Sequence, residues 1–596
     1  MTLLTTIALA LVQAAAQPSD SAYFQQGVDY RIEARLDEAT DVLHGRARLK
    51  YVNNAPARID TLYFHLSLNA FRPNSAWARR DLEFDERRFQ DLGPDEHAFT
   101  RLNRVRVGGR PATPRFLGPP DSTVVAVPLA APLATGDSTT VLIDFESRLS
   151  TLPRRQGRRG RSHDFAQWYP RIAVYDRGGW RTRPLLPQGE FYGEFGAYDV
   201  TLDVAADQVI GATGVPVEGD PGWTEAAAAG HTPALRRDAY TARPAEPLGL
   251  LAGAPADGRK RVRWRAEAVH HFAWSTSPDY IYEGGAFEDV AIHVLYRPGD
   301  EEAWGNGIAV RRTAAALAFF DSIFGDYAWP QLTNLHRIEN GGTEFPMMIM
   351  DGNAGEGLIV HETAHQYVHG ILANNEWLEG WLDEGFASFL GNWYEEAKGA
   401  DPMPLWAPPI QSIGAAEAAG ATQPVGLPSA EFRDYDTYGA MTYTKGSIVL
   451  HMARALLGDA AFRQAMRHYY EGNQLRHVRG DDLEAALEAF YPQGELDWFF
   501  DQWIDRTATL DYRVEAARTE QAGGRWRTTV DIVREGDAWM PVELRVGDVV
   551  RRLDSRERRQ TVVVETASRP DRVTLDPRAL LLETNKDNNT REVGAG

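Results

Sequence analysis

The sequence contains no cysteine, and this absence excludes several kinds of site. Without a thiol among its 596 residues, the chain cannot form disulfides, cysteine nucleophiles or thiolate-bound metal centres. A metal site would therefore have to use histidine and carboxylate ligands. No apolar run beyond the N-terminus reaches the about 18 residues that a membrane-spanning helix needs. We therefore expect no membrane span.

Basic residues are also in short supply relative to acidic ones. The chain has 63 Lys and Arg against 83 Asp and Glu, which gives a formal net charge of -20. This charge repels phosphate backbones and anionic membrane surfaces. We therefore expect no nucleic acid partner.

The first residues are typical of a secretory signal. The apolar run LLTTIALALV, residues 3–12, is followed by Ala14, Ala15 and Ala16 and then by Gln-Pro, which is the pattern of a signal core and its cleavage site. We expect residues 1–16 to be a signal peptide and the protein to be soluble and exported, either periplasmic or secreted. Because no Lys or Arg precedes the core, an ordinary N-terminus is the alternative.

The length of the chain and its changes of pattern predict a multidomain α+β protein. A prior of roughly 150 residues per domain suggests three or four domains. Residues 17–283 contain mostly short alternating runs, which predict a β-rich N-terminal domain, whereas residues 284–505 contain one strand followed by long helical segments. Strand patterns return over residues 506–596 and predict a C-terminal β-sandwich.

A basic island interrupts the N-terminal strands. The stretch PRRQGRRGRS, residues 153–162, is unusual in an acidic protein. We expect a solvated loop, and a docking or processing site is the alternative.

The stretch HETAHQYVHG contains a possible metal-binding pair. His361 and His365 are four residues apart, so both imidazoles would project from one face of a helix. Glu362 would lie near enough to reach a metal-bound water without being a ligand, as a general base does in such sites. The motif alone also fits two surface histidines on a helix.

A third ligand stands in the next helical segment, EGWLDEGFASFLGNWYEE. Glu384 follows His365 by 19 positions, a distance at which a helix, a turn and a returning helix bring a side chain back to the first helix. The metzincin pattern fails because no histidine stands six residues after His365. We therefore predict a zinc site of His361, His365 and Glu384 with an open fourth position, and His369 as a polar neighbour.

Three ordered motifs, HETAHQY, WLDEGFASF and TYTKGSIVLHMARAL, together resemble the M1 gluzincin metallopeptidases of the aminopeptidase N and leukotriene A4 hydrolase type. FAQWYPRIAVYDRGGW and GEFGAYDVTLDV are similar to the β-rich N-terminal domain of that family. The resemblance thus covers most of the chain. It implies a thermolysin-like catalytic domain, one Zn²⁺ per chain and the removal of N-terminal residues from peptide substrates.

The resemblance also assigns roles to individual residues. It implies that His361, His365 and Glu384 bind zinc, that Glu362 is the general base, and that Tyr443 steadies the oxyanion, a role suited to a phenol donor. Tyr443 is assigned through its neighbours Lys445 and Gly446; alone it would be an ordinary tyrosine.

The segment that binds the substrate amine in the family departs from its usual form here. The family has Gly-x-Met-Glu-Asn, and this chain has Gly341, Gly342, Thr343, Glu344 and Phe345. The resemblance implies that Glu344 anchors the α-amino group, because a carboxylate in a poorly solvated pocket is enough for a cationic amine. A solvated residue at a strand end is the alternative.

Two assignments stay open at this point. The second amine anchor could be Gln167 or Glu190, and neither matches cleanly. Asp383 stands where the family usually has Asn, and it could orient a metal ligand or favour the first turn of its helix. We also expect the large helical fourth domain of many members to be absent.

Three other functions compete with the aminopeptidase hypothesis. The first is a related zinc hydrolase that acts as an endopeptidase or on a non-peptide bond. The second is a non-catalytic binding protein of the same fold. The third is a structural zinc protein, which is disfavoured because structural sites fill all four ligand positions.

Overall fold

A computed structural model describes residues 23–230 and 246–595. The predicted signal peptide, residues 1–16, lies outside the described residues. Across the described ranges, no helix is both long and apolar enough to cross a membrane.

The N-terminal region is built on an eight-stranded sheet. Its strands alternate buried and less buried residues, as in Val42–Val52, because one face packs on the core. In spatial order the strands are Val215–Glu218, Arg259–Val269, Gly196–Ala205, Gly27–Asp37, Val42–Val52, Ser138–Arg148, Phe99–Val107 and Arg110–Pro111.

Smaller sheets and short helices complete this region. One four-stranded sheet has the order Val209–Ala212, Trp274–Ser277, Ser162–Phe165 and Gly157–Arg159. Another has the order Arg171–Ile172, Ile59–His65, Val124–Leu133 and Arg115–Phe116. The other elements among the described residues of this region are the strand pair Tyr175–Asp176 and Gly179–Trp180, the 3₁₀ turn Ser67–Ala70, and the helices Ala76–Glu83 and Thr224–Ala229.

The middle region contains a five-stranded sheet, where the sequence had predicted one strand. The spatial order is Ile281–Phe287, Val290–Tyr296, Gln331–His336, Met348–Asp351 and Glu344–Phe345. The last three strands are short and almost wholly buried, so they lack the polar alternation that marks a strand in sequence. The predicted boundary after residue 283 falls inside the strand Ile281–Phe287, which pairs with Val290–Tyr296.

Helices make up the rest of the middle region. Their bounds are Glu301–Trp304, Ile308–Phe324, Glu356–His365, Gln366–Ile371, Glu376–Glu379, Gly380–Leu382, Glu384–Ala397, Pro402–Ala418, Ser429–Glu431, Tyr435–Gly439, Ala440–Lys445, Gly446–Leu457, Asp459–Asn473, Gly480–Glu488, Asp497–Phe500 and Asp501–Asp505. Two short parallel strands, Leu372–Asn374 and Arg476–Val478, join this layer.

The C-terminal region consists of two four-stranded sheets. The first has the order Arg559–Thr566, Arg525–Arg534, Tyr512–Ala522 and Gly594–Ala595, and the second has the order Val549–Leu553, Val542–Val546, Arg572–Leu575 and Thr590–Glu592. Their inward residues share one apolar core that includes Val514, Val530 and Leu544. The predicted fold class is therefore confirmed, while the division into three separate domains stays a prediction.

The middle sheet buries a histidine whose titration affects stability. Burial lowers the pKa of His293 from 6.5 to about 3, so between those values the unfolded chain takes up a proton that the folded chain does not. Stability should therefore fall as pH drops below about 6.5, by about 1.4 kcal/mol per pH unit from this residue. Urea denaturation between pH 7 and 4 should show a smaller pH slope for His293→Gln. Equal slopes for the variant and the wild type would contradict this prediction.

Candidate metal centre and active site

Two histidines meet on one face of the helix Glu356–His365, which we call the histidine helix. It follows the strand Met348–Asp351 and packs against it. His361 and His365 lie one turn apart, so both rings project on the same side. Their Nε2 atoms are 3.1 Å apart.

Glu384 reaches the same point from the first turn of a second helix, Glu384–Ala397, the glutamate helix. Its Oε2 lies 3.1 Å from His361 Nε2 and 3.3 Å from His365 Nε2. Two ligands at about 2.0–2.1 Å from a tetrahedral zinc ion lie roughly 3.3 Å apart. The three donor atoms are therefore spaced as zinc ligands would be.

Burial and charge at this cluster also fit a cation. The side chains of His365 and Glu384 are 1% and 6% exposed, whereas His361 is 23% exposed and marks the side open to substrate. Burial lowers the pKa of His365, but the hydrogen bond to Glu384 and the nearby carboxylates outweigh it and raise the pKa to about 10. The carboxylates thus hold a proton where a metal ion would sit, so the residues present fit a zinc ion.

Asp383 contacts a predicted ligand rather than the end of its own helix. Its Oδ1 lies 2.5 Å from His365 Nδ1, and both side chains are buried. The side chain of Asp383 makes no capping hydrogen bond to the glutamate helix. Of the two roles left open by the sequence, the geometry favours orienting His365, as carboxylates do for metal-bound imidazoles.

His369 lies outside the three-ligand cluster. Its Nδ1 is 3.1 Å from Glu376 Oε1 and 4.0 Å from Asp383 Oδ1. After His365 the helix continues as wider π turns over Gln366–Ile371, with a kink at Val368, which turns His369 away from the metal position.

Glu362 is buried beside the paired glycines. A Cβ on Gly342 would stand 1.9 Å from Glu362 Oε1, and Gly341 has a φ of 76°, so side chains at these two positions are excluded or strained. The glycines thus make room for the carboxylate of Glu362. Burial raises the pKa of Glu362 well above its usual range.

Glu344 lies on the edge strand Glu344–Phe345, close to the histidine helix. Glu344, Glu362 and His365 can place one polar atom each within 4.8 Å of one another. Burial, and then the charge of Glu190, raise the pKa of Glu344 well above its usual range.

Gln366 joins the edge strand to the histidine helix, and sequence reasoning missed it. Its Nε2 donates to Phe345 O at 3.1 Å, and its Oε1 accepts from Met347 N at 2.8 Å. The only signal available was its position immediately after His365. This clamp fixes Glu344 relative to the predicted ligands.

Tyr443, which was assigned through its neighbours Lys445 and Gly446, lies at the three-ligand cluster. It lies in the π turn Ala440–Lys445, and its hydroxyl donates to Glu384 Oε1. Lys445 pairs with Glu417 at 2.8 Å, both fully buried.

A close backbone contact fixes the position of Tyr443 relative to Glu384. A Cβ on Gly446 would come within 3.2 Å of Gly385 Cα, so the backbones of the two helices approach directly at this point. The Lys-Gly pair therefore sets the distance between Tyr443 and the glutamate helix.

The N-terminal region contributes two charged side chains. Glu190 donates its backbone N–H to Glu376 Oε2 at 2.6 Å, and its carboxylate pairs with Arg155. Of the two candidate amine anchors, the structure therefore brings Glu190 to the site. Within the described residues, Nε2 of Gln167 is buried and has no hydrogen-bond partner.

The prediction of a solvated loop for the basic island, residues 153–162, is wrong for residues 155–157, whereas residues 159–161 are exposed. Arg155 and Gln156 are buried, and Gly157–Arg159 forms a strand. The island is held by ion pairs: Arg154 with Glu339 at 3.3 Å, and Arg155 with Glu190. The composition of the island predicted a solvated loop because the acidic partners of its arginines stand outside the island in the sequence.

The three-ligand cluster has the residue types and the spacing of a zinc site. Residues 348–503 match the Peptidase family M1 domain. This match confirms the resemblance to M1 metallopeptidases seen in the sequence motifs.

Similar proteins extend the comparison. Aminopeptidase N of Lactobacillus helveticus is 31% identical over 137 residues, which are 22% of this chain and 16% of the relative. Aminopeptidase 2, mitochondrial, of Saccharomyces cerevisiae is 25% identical over 223 residues, 33% of this chain and 23% of the relative. The chain therefore spans less than a quarter of either relative.

The fold is similar to that of a solved M1 zinc metallopeptidase from Deinococcus radiodurans. The TM-score is 0.52 at 16% identity, and the match covers 81% of this chain and 94% of the other. A second structure of that protein, bound to a Tyr-Ser-Ala substrate, matches with the same TM-score at 15% identity.

Metal analysis can test the ligand set. Glu384→Gln should lose zinc on dialysis against a chelator, and Asp383→Ala should bind zinc roughly 10- to 100-fold more weakly. His369→Gln is the matched control, because its ring lies outside the cluster, and it should keep one zinc per chain and the rise in melting temperature on zinc addition. Zinc loss from His369→Gln with retention by Glu384→Gln would overturn the assignment.

Proposed function

We propose that this protein is a zinc-dependent aminopeptidase that removes N-terminal residues from peptides. The observation that carries the proposal is the juxtaposition of Glu344 and Glu362 beside His365. One buried carboxylate can hold a cationic amine while the other handles the proton of the attacking water. The domain match and the aminopeptidase relatives support the same activity.

His361, His365 and Glu384 would hold the zinc ion. A bound zinc ion supplies Lewis acidity to the scissile carbonyl and lowers the pKa of water. Asp383 would keep His365 in the tautomer whose Nε2 is free to bind metal.

Glu362 would act as the general base. It would take a proton from the attacking water and deliver it to the leaving amine. Because burial raises its pKa, this carboxylate can hold the proton between the two transfers.

Tyr443 would donate a hydrogen bond to the oxyanion that forms as water attacks. Burial raises its pKa well above the usual range, so the phenol keeps its proton. Its hydroxyl lies against Glu384, so the donor is next to the proposed metal position.

Glu344 would bind the free α-amino group and so place the first peptide bond at the metal centre. The two departures from the family motif are compatible with this role. The ring of Phe345 packs 5.1 Å from that of Phe191, and Thr343 accepts a hydrogen bond from Arg337. These contacts of Phe345 and Thr343 do not involve the carboxylate of Glu344.

The setting of this activity is also a proposal. The features of residues 1–16 support export to the periplasm or outside the cell, and the net charge of -20 favours peptides over nucleic acid as substrates.

The general-base role can be tested with a conservative change. Glu362→Gln should keep its zinc, because Glu362 is not a ligand, and should lower kcat by about 10²- to 10⁴-fold. Turnover of alanyl-7-amido-4-methylcoumarin, with metal content measured on the same samples, checks both expectations. Near-wild-type turnover would remove Glu362 from the mechanism.

The dependence on a free amine separates an aminopeptidase from the other zinc hydrolases. N-acetylation of the alanyl substrate should slow hydrolysis by roughly 100-fold or more, because the charge that pairs with Glu344 is lost. Glu344→Gln should reduce the difference between the two substrates. Equal rates for both substrates with the wild type would favour an endopeptidase or a non-peptide hydrolase.

A further inference from the structure

Arg155 has an unusual environment for an arginine in a strongly basic stretch of sequence. Its side chain is 4% exposed, and its backbone has a φ of 57°. The backbone N–H donates to Glu339 Oε2 at 2.5 Å, which holds the residue in this left-handed conformation. The fold therefore directs this side chain inward at a cost in backbone strain.

The guanidinium lies beside the substrate-binding carboxylates. Nη2 pairs with Glu190 Oε1, and the next charges that act on the arginine are Glu344 and Glu376. The rings of Trp77 and Phe191 lie 5.5 Å and 5.7 Å from Cζ. The ring of Phe191 also packs 5.1 Å from that of Phe345, the residue after Glu344, so Arg155 is a desolvated cation near the proposed amine anchor.

The hydrogen-bonding capacity of this arginine is not used up. Within the described residues, Nε and Nη1 of Arg155 are buried and have no hydrogen-bond partner. Buried N–H groups without a partner are costly, and the ion pair with Glu190 occupies only one edge of the planar fork. These donors are therefore available to an acceptor supplied by the substrate.

We propose that Arg155 determines specificity by binding the side-chain carboxylate of an N-terminal glutamate or aspartate. This inference rests on the proposed aminopeptidase function. In an N-terminal residue, the α-amine and the side chain are bonded to the same Cα. A cation beside the amine anchor therefore lies within reach of the first side chain. Without Arg155, an acidic side chain would enter a site that is otherwise rich in buried carboxylates.

The test compares glutamyl, aspartyl, glutaminyl and alanyl 7-amido-4-methylcoumarins. The wild type should cleave the glutamyl substrate with a kcat/KM roughly 10- to 100-fold above that of the glutaminyl substrate, which differs only in charge. Arg155→Met should lower kcat/KM for the acidic substrates by a similar factor, mainly through KM, and leave the glutaminyl and alanyl values within about threefold.

The neighbouring Arg154 provides a matched control. It carries the same charge in the same loop, but it is 30% exposed and pairs with Glu339, so Arg154→Met should keep the glutamyl preference. Melting temperatures of both variants report on folding. If Arg155→Met fails to fold, the wild-type ratio of kcat/KM for the glutamyl and glutaminyl substrates tests the preference for an acidic side chain.

Each outcome separates the inference from the proposed function. A wild-type ratio near one, or an equal loss on all four substrates in folded Arg155→Met, would overturn the role of Arg155 while cleavage of the alanyl substrate upholds the aminopeptidase function. Hydrolysis of none of the substrates by the zinc-loaded wild type would overturn both.

Discussion

Buried negative charge is the constraint on which the rest of this site depends. Several carboxylates from distant parts of the chain lie together away from water, where an isolated charge is costly. They are Glu190, Glu344, Glu362, Glu376, Asp383 and Glu384. Such a cluster is tolerable only when cations or protons compensate it.

The compensation explains the chemistry of the site. At one end, Glu384 and two imidazoles form a cluster suited to a metal ion. Without a metal ion, the same charges hold a proton on His365. At the other end, Glu344 is the proposed anchor of a substrate amine, and Arg155 pairs with Glu190. A metal ion, a substrate amine and the guanidinium of Arg155 would each compensate part of the buried negative charge.

The three-residue cluster could be predicted because its members follow local geometric rules. The spacing of His361 and His365 reflects the helix repeat, and Glu384 follows after one turn and one returning helix. Family resemblance then identified Tyr443 and Glu344. Each of these residues lies in a short motif, so a single sequence is enough to locate it.

The N-terminal contributions could not be predicted in the same way. Arg155 meets Glu190 and the catalytic region only through tertiary packing, and no local pattern records which loop turns inward. The basic island looked solvated because its acidic partners stand outside the island, and one of them, Glu339, is 185 residues from Arg154. The buried strands of the middle sheet were missed for a related reason, since full burial removes the polar alternation.

Because loops of the β-rich region enter the site, exchanging that region between relatives would change the site. The proposed metal ligands all come from the middle region, whereas Glu190 and Arg155 come from the β-rich region. A chimera that combined this middle region with the β-rich region of a relative would inherit the proposed hydrolytic residues from one parent. Its preference for the first side chain would come from the other. Rate and selectivity could therefore evolve on separate segments of one chain.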